Sequence, residues 1–233
     1  GHTNARTYLF SSSQHSADPF LGPKEGNHLY ISNPLNTTPI LRALLDVMDA
    51  WATNDRLPPD SRVPTLEAET LALADVVEHK FPTVSQVAHP KEASRLYVQD
   101  HGPDFEKGII TTEPPVEDFS REYAVLVPQV DLDGNEVGGI RTPHVEVPLA
   151  TFTGWNFLPG GSGTNALAGV VGSHLPFART AVERQSQGDS RLAVQERYHS
   201  KAHYVRAIAL ATERLVTQRL LLEEDADLYV EEA

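Results

Sequence analysis

A short β-prone run at residues 6–11, Arg-Thr-Tyr-Leu-Phe-Ser, limits what this chain can fold into more than any other stretch. It is the one run that fits a strand in a parallel sheet built from β-α units, and no strand precedes it to pair with. An unpaired apolar strand is an aggregation hazard. We therefore expect the neighbouring strands to come from a companion polypeptide or from sequence upstream of Gly1.

A polar loop with several glycines and prolines follows the run, and then a helix begins cleanly. Thr38 suits the N-cap and Pro39 the first helical position. Apolar residues recur at helical spacing from Ile40 to Trp51, and Asn54 with the Pro58-Pro59 pair predicts the end. Strand, loop and helix together form the first predicted unit, residues 1–57.

The second predicted unit, residues 58–233, mixes helices and strands. Its clearest feature is a β-hairpin, in which residues 123–130 and 136–140 flank an Asp/Gly turn. The sequence also predicts helices after Ser190 and after Ser200. The remaining predictions are a short helix over 66–77, an extended segment over 145–152, a glycine-rich loop over 159–172 and an acidic tail over 223–232.

Composition excludes several function classes. The 233 residues carry a formal net charge of −13 and no cysteine, so thiolate catalysis, disulfides and cysteine zinc sites are excluded. The acidic balance disfavours nucleic acid and anionic membranes as partners. No apolar run approaches the roughly 20 residues of a membrane span, and residues 1–6 do not resemble a signal peptide. The sequence indicates no cofactor.

His15 is the leading catalytic candidate. It lies on a loop just past a strand and ahead of an amphipathic helix, a layout that lets an imidazole reach a serine on a separate strand–helix turn. A neutral histidine can accept the serine proton near pH 7. The alternative is an ordinary loop histidine, one of ten in the chain.

The matching nucleophile is missing from the sequence. No Gly-x-Ser-x-Gly motif occurs, and residues 161–163, Gly-Ser-Gly, have neither an apolar strand leading in nor a strong helix leading out. A flexible connection is the better interpretation of that loop. It also lacks the Gly-Lys-Ser/Thr of a phosphate-binding loop.

Two stretches resemble metal sites, and neither predicts one. His199 and His203 are spaced four apart, but Ser200 stands where a zincin has glutamate, and a helix that begins at Ser200 would split the pair. Residues 131–135, Asp-Leu-Asp-Gly-Asn, place glycine at the fourth position of a calcium loop rather than the sixth. We expect no metal.

Trp155 and Asn156 lie beside the glycine-rich loop, and with Gln14 they are the candidates for a substrate pocket. An equally good interpretation makes Trp155 a buried anchor whose indole N–H is satisfied internally.

Several stretches together resemble the large bacterial and fungal family of alpha/beta hydrolase domain-containing proteins. The matches keep their order and spacing across nearly the whole chain, and residues 148–156, Pro-Leu-Ala-Thr-Phe-Thr-Gly-Trp-Asn, are the most specific. The family usually has a small or glycine-containing run before Gln-His, where this chain has Ser11, Ser12 and Ser13. The carrying stretches are Arg6-Thr-Tyr-Leu-Phe10, Gln14-His15, Asn33-Pro-Leu-Asn36, Pro39-Ile-Leu-Arg-Ala-Leu-Leu45, Val130-Asp-Leu-Asp-Gly-Asn135, Gly139-Ile-Arg141, Val147–Asn156, Gly172-Ser173, Pro176-Phe-Ala178 and Glu196-Arg-Tyr198.

The resemblance implies an α/β fold, of which this chain is the C-terminal portion: the last strand, the histidine loop, a terminal helix and a mixed α+β region. It implies that His15 is the triad histidine and that the serine and its acidic partner lie upstream of Gly1. The expected activity is hydrolysis of a small-molecule carboxylic ester, together with the N-terminal part of the same protein or a companion chain. The chain alone is expected to be inactive. The alternative is a non-catalytic binding or scaffolding module.

Overall fold

The computed structural model describes residues 4–15, 26–91, 95–160 and 166–233, and within them short strands are interspersed with helices. Two helices of 17 residues, near the two ends of the chain, are the longest elements. The helices are α1 Thr38–Asn54, α2 Ala74–Lys80, α3 Pro143–Glu146, α4 Ala181–Gln187, α5 Val194–Arg197, α6 Lys201–Thr217 and α7 Glu223–Glu232, with a 3₁₀ turn at Phe105–Lys107. The strands are β1 Leu71–Leu73, β2 Tyr97–Asp100, β3 Val116–Glu122, β4 Leu126–Pro128, β5 Ala150–Phe152 and β6 His174–Pro176.

The described strands pair in three separate antiparallel ribbons of two strands each: β1 with β4, β2 with β3, and β5 with β6. The mixture of helices and strands agrees with the predicted α/β class. The registers place Leu71 opposite Pro128 in the first ribbon and Phe152 opposite His174 in the third. Pro128 thus ends a strand in a two-stranded ribbon, where both strands are edges and a missing N–H is tolerated.

The predicted hairpin over 123–140 is wrong in its strands and correct in its turn. Asp131 accepts the N–H groups of Asp133 and Asn135 on its side chain, and a single bridge joins Val130 to Glu136. The arms do not continue, because β4 pairs with β1 and because two consecutive glycines, Gly138 and Gly139, interrupt the second arm.

The run at 6–11 finds its neighbours later in the chain rather than before it. Tyr8 forms a parallel bridge with Arg62, and Phe10 forms one with Ile140. The Leu9 N–H donates to the Arg62 carbonyl at 2.9 Å, and the Leu9 carbonyl accepts from Ile140 N–H at 2.7 Å. The segment is therefore hydrogen-bonded on both edges, and the expectation that it is unpaired within this chain is wrong.

The long helices agree with prediction more closely than the short ones. Helix α1 has Pro39 in its first turn, although its N-cap is Thr37, and α6 begins after Ser200, whose Oγ accepts the His203 N–H at 3.1 Å. The helix predicted over 66–77 is wrong over residues 66–73, which form a turn and then β1, and correct from Ala74, where α2 begins. The segment predicted to be extended over 145–152 begins as α3 and becomes β5, and the acidic tail folds as α7.

One apolar cluster joins the two ends of the chain. It contains Ile40 from α1, Ile140, Ile208 from α6 and Tyr229 from α7, all buried. The cluster draws on both sides of the division predicted at residues 57 and 58, and that division stays a prediction.

A buried ion pair ties the third ribbon to the segment before α5. Arg191 is 3% exposed and Asp189 5%, and the Arg191 Nη2 lies 2.6 Å from the Asp189 Oδ2. The same guanidinium donates to the Thr151 hydroxyl and the Leu175 carbonyl, each at 2.8 Å. Each charge is therefore compensated, as burial requires.

Candidate functional site

The loop that carries His15 begins with three serines, and each serine hydroxyl forms a hydrogen bond with another residue of the chain. Ser11 and Ser12 are buried, and the Ser11 hydroxyl donates to the Gly138 carbonyl. Ser13 donates its hydroxyl to the Phe10 carbonyl at 3.0 Å. Ser12 has a φ of +58°, in the left-handed region that favours glycine. The serine run therefore shapes a tight turn after the strand-like segment, and none of the three resembles an exposed nucleophile.

Ser12 is held from both sides. Its N–H donates to the Glu136 Oε2 at 2.7 Å, and its Oγ accepts the Glu136 N–H at 2.8 Å. The Asn33 amide donates to the Ser12 carbonyl at 2.7 Å and to the Thr153 carbonyl at 2.9 Å. Buried backbone groups need such partners, and here they come from distant segments. The turn before His15 is thereby fixed.

Gln14 and His15 continue this anchoring. The Gln14 Oε1 accepts the Gly172 N–H at 3.1 Å, and the His15 N–H donates to the Val170 carbonyl at 3.3 Å. The His15 residue itself is exposed. The loop thus presents an accessible imidazole, and every residue from Ser11 to His15 forms a hydrogen bond with another residue of the chain.

A cavity of about 810 Å³ borders this loop. Trp155 and Glu136 line it, and so does Gly154, where an added Cβ would lie 3.1 Å from the Ser13 carbonyl oxygen. Its volume falls within the range of about 300–1,000 Å³ for small-molecule pockets. Of the described residues that line the cavity, none is Asn156 or belongs to the loop from Ser11 to His15. The loop is connected to the cavity indirectly, through the hydrogen bonds between Ser12 and the lining residue Glu136.

Three rings form an aromatic wall, which we define as Phe81, His89 and Trp155. The ring centroids lie 5.0 Å apart for Phe81 and His89, 5.7 Å for Phe81 and Trp155, and 5.4 Å for His89 and Trp155. Gly134, which also lines the cavity, lies beside the wall with a φ of +78°, and a Cβ there would lie 3.0 Å from the Phe81 ring. The Asp/Gly turn therefore needs glycine both for its backbone and for its approach to the aromatic wall.

Two ionisable groups in the cavity have shifted pKa values. Burial raises the pKa of Glu136, although the hydrogen bond from the Ser12 N–H opposes the shift. Burial lowers the pKa of His89, and the bond to the Pro90 carbonyl and the charge of Glu78 oppose it. Desolvation disfavours the charged form in both cases. Perturbed groups in a cavity are typical of functional sites.

Asn156 lies beneath the cavity rather than on its surface. It is 1% exposed, and its Oδ1 accepts the N–H groups of Tyr30 and Phe157. Its Nδ2 donates to the carbonyls of Tyr30 and Gly172. The side chain joins three chain segments behind Trp155, and a direct contact with substrate stays a prediction.

The other stretches singled out in the sequence carry no metal-type geometry in the described part of the chain. The His199 and His203 rings stack with centroids 5.4 Å apart, and no group of three or more potential metal ligands occurs in residues 4–15, 26–91, 95–160 and 166–233. Residues 161–163 lie outside the described residues. None of the described helices has the length and apolar character needed to cross a membrane.

Sequence reasoning missed Glu136, Phe81 and His89. Glu136 follows an ordinary turn, and its partner Ser12 lies 124 residues away. Phe81 and His89 stand in a stretch of weak periodicity. The one signal that could have found the site was the charge on Glu136 within an otherwise uncharged segment, residues 134–140.

A family model described as Alpha/beta hydrolase domain matches residues 1–231. No curated protein and no solved structure matches the chain.

Proposed function

Because this chain belongs to the alpha/beta hydrolase domain family, we propose that it supplies the general base, His15, of a serine hydrolase that cleaves carboxylic esters. The exposed imidazole on a loop with a fixed backbone carries the proposal. A general base must be accessible to its substrate and held in place, and this loop meets both requirements.

In the proposed reaction, the His15 imidazole accepts the proton of a serine hydroxyl as that oxygen attacks the ester carbonyl carbon. The protonated imidazole then gives the proton to the leaving alkoxide, which departs as an alcohol. Water attacks the acyl-enzyme, His15 accepts the water proton, and the acid is released as the proton returns to the serine. In this proposal the serine belongs to a segment outside the 233 residues, because they contain no nucleophile motif.

The cavity beside the loop is the proposed binding site for one part of the ester. Trp155 lines it, and Glu136 connects its wall to the turn before His15. Gln14 orders the loop through Gly172, and Asn156, the residue after Trp155, ties that segment to Tyr30 and Gly172, so both act as positioning residues in this proposal.

The test uses the protein as encoded, with any sequence that flanks this chain. A fluorophosphonate probe should label one serine covalently, and His15→Ala should lower the labelling rate and ester hydrolysis by at least about 10²-fold. His199→Ala removes an exposed histidine elsewhere and should leave both rates unchanged. Absence of labelling, or full activity of His15→Ala, would refute the proposal in favour of a non-catalytic module.

A further inference from the structure

The polar side chains around the cavity are mostly hydrogen-bond acceptors. Among the described lining residues, four carry carboxylates and two carry cationic groups, which leaves an excess of negative charge. One of the cations, Arg95, already lies 3.6 Å from Glu122. The charged lining residues are Asp75, Glu78, Glu122, Glu136, Lys91 and Arg95.

His89 adds a further acceptor. Its Nδ1 lies 3.0 Å from the Pro90 carbonyl oxygen, so Nδ1 carries the proton of the neutral ring. Burial lowers the pKa of His89, which keeps the ring neutral near pH 7. Its Nε2 is then an acceptor on a residue that lines the cavity.

Glu136 has acceptor capacity beyond its bond to the loop. Its Oε2 accepts the Ser12 N–H, whereas a carboxylate offers about four acceptor positions. The carboxylate is desolvated, and a cation beside it would stabilise its ionised form. The site therefore favours a ligand that brings a positive charge and N–H donors.

The aromatic wall favours the same ligand. Its three rings offer an apolar aromatic surface, against which an aromatic group of the same ligand can pack. A volume of about 810 Å³ is far larger than an inorganic cation requires and suits an organic molecule.

We propose that this cavity binds an organic ammonium ion with an aromatic group, its ammonium on Glu136 and its ring against Phe81 and Trp155. As a statement about substrate choice this rests on the proposed function, because it makes one part of the ester cationic. As a statement about binding it requires neither His15 nor a nucleophile.

Tryptophan fluorescence gives a direct test on the 233-residue chain. The chain has two tryptophans, and Trp51 lies on α1, where the Arg6 guanidinium is 5.8 Å from its ring. In Trp51→Phe, Trp155 is the sole reporter, and in Trp155→Phe, Trp51 is the matched control. Phenethylammonium should change the Trp155 signal saturably, with a Kd at least about tenfold lower than that of phenethyl alcohol. Phenylacetate and the Trp51 reporter should give no saturable change.

Two charge variants locate the ammonium. Glu136→Gln keeps an acceptor for the Ser12 N–H and should weaken phenethylammonium binding about tenfold, with the alcohol unaffected. Glu67→Gln, on an exposed turn, should change neither. If Glu136→Gln fails to fold, Glu78→Gln on α2 should weaken ammonium binding to a smaller extent.

The proposal is overturned if the alcohol binds as tightly as the ammonium ion, if phenylacetate binds, or if no probe gives a saturable change. It is also overturned if Glu136→Gln, or Glu78→Gln where Glu136→Gln does not fold, leaves ammonium binding intact. Failure of fluorophosphonate labelling would refute the hydrolase proposal and leave this binding result standing, so the two failures are distinguishable.

Discussion

Ser12 and Glu136 hold each other through two reciprocal hydrogen bonds, one to the Glu136 carboxylate and one to the Ser12 hydroxyl. We expect Glu136→Ala to lower the free energy of unfolding by about 1–3 kcal/mol, because the buried Ser12 N–H loses its acceptor. Glu136→Gln retains an acceptor and should cost less than about 1 kcal/mol. Urea denaturation measures both, with Glu67→Ala as the exposed control. Equal losses for Glu136→Ala and Glu136→Gln would contradict this role.

The left-handed backbone of Ser12 gives a second prediction. Ser12→Ala and Ser12→Gly both remove the oxygen that accepts the Glu136 N–H, but only glycine adopts a φ of +58° without strain. We expect Ser12→Gly to be more stable than Ser12→Ala by about 1 kcal/mol in denaturant unfolding. The reverse order would show that the turn relaxes out of the left-handed region.

The third prediction concerns the buried ion pair between Asp189 and Arg191. Arg191→Met leaves a buried carboxylate without its partner, so we expect a loss of about 3–5 kcal/mol in the free energy of unfolding. Arg214→Gln breaks an exposed pair with Glu146, whose N–O distance is 3.1 Å, and should cost less than about 1 kcal/mol. Thermal or urea unfolding of the two variants compares them, and similar losses would contradict the prediction.

A fourth prediction links stability to pH through His174. Burial lowers the pKa of His174 from 6.5 to about 4, and its ring stacks on Phe152 at 5.4 Å. Between these values the unfolded chain binds the proton and the folded chain does not, so the stability contribution is complete above pH 6.5 and is lost as the pH falls toward 4.

We therefore expect His174→Phe to lose less stability than the parent chain on going from pH 7 to about pH 5, by about 1–2 kcal/mol. Burial also lowers the pKa values of His89 and His144. Because of these two residues, the free energy of unfolding of the variant should still fall somewhat as the pH is lowered. Urea midpoints at the two pH values measure the difference, and His199→Gln, an exposed control, should match the parent. If His174→Phe loses as much stability between the two pH values as the parent chain, the pH dependence does not come from His174.

Helix starts show where sequence reasoning succeeds and where it fails. Ser200 caps α6 as predicted, because the cap and the periodic face it precedes are adjacent in sequence. Ser190 has the same residue type but caps nothing. Its N–H donates to the Thr83 carbonyl at 2.9 Å, and α5 begins after Ala193. A partner 107 residues away decides its role.

For the strands and the site as well, local signals are predictable from sequence and contacts between distant residues are not. Local periodicity predicts residues 71–73 as part of a helix, yet they pair with residues 126–128, so long-range pairing overrides the local signal. His15 is a candidate base from its loop and from the family resemblance, and that role stays a prediction. Glu136 and the aromatic wall are not identifiable from the sequence, since only folding brings the Asp/Gly turn against Ser12 and Phe81.

The contact between Ser12 and Glu136 also determines when, during synthesis of the chain, the hydrogen bonds of the turn before His15 can form. Because the two residues are 124 positions apart, their hydrogen bonds cannot form until the ribosome has made more than half of this chain. At synthesis rates of about 5–20 residues per second, that interval lasts roughly 6–25 seconds. During it the histidine exists without the hydrogen bonds that fix its turn. The bond from the Gly172 N–H to Gln14, 158 positions apart, needs still more of the chain, so the backbone on both sides of His15 depends on contacts distant in sequence, which are slow to form.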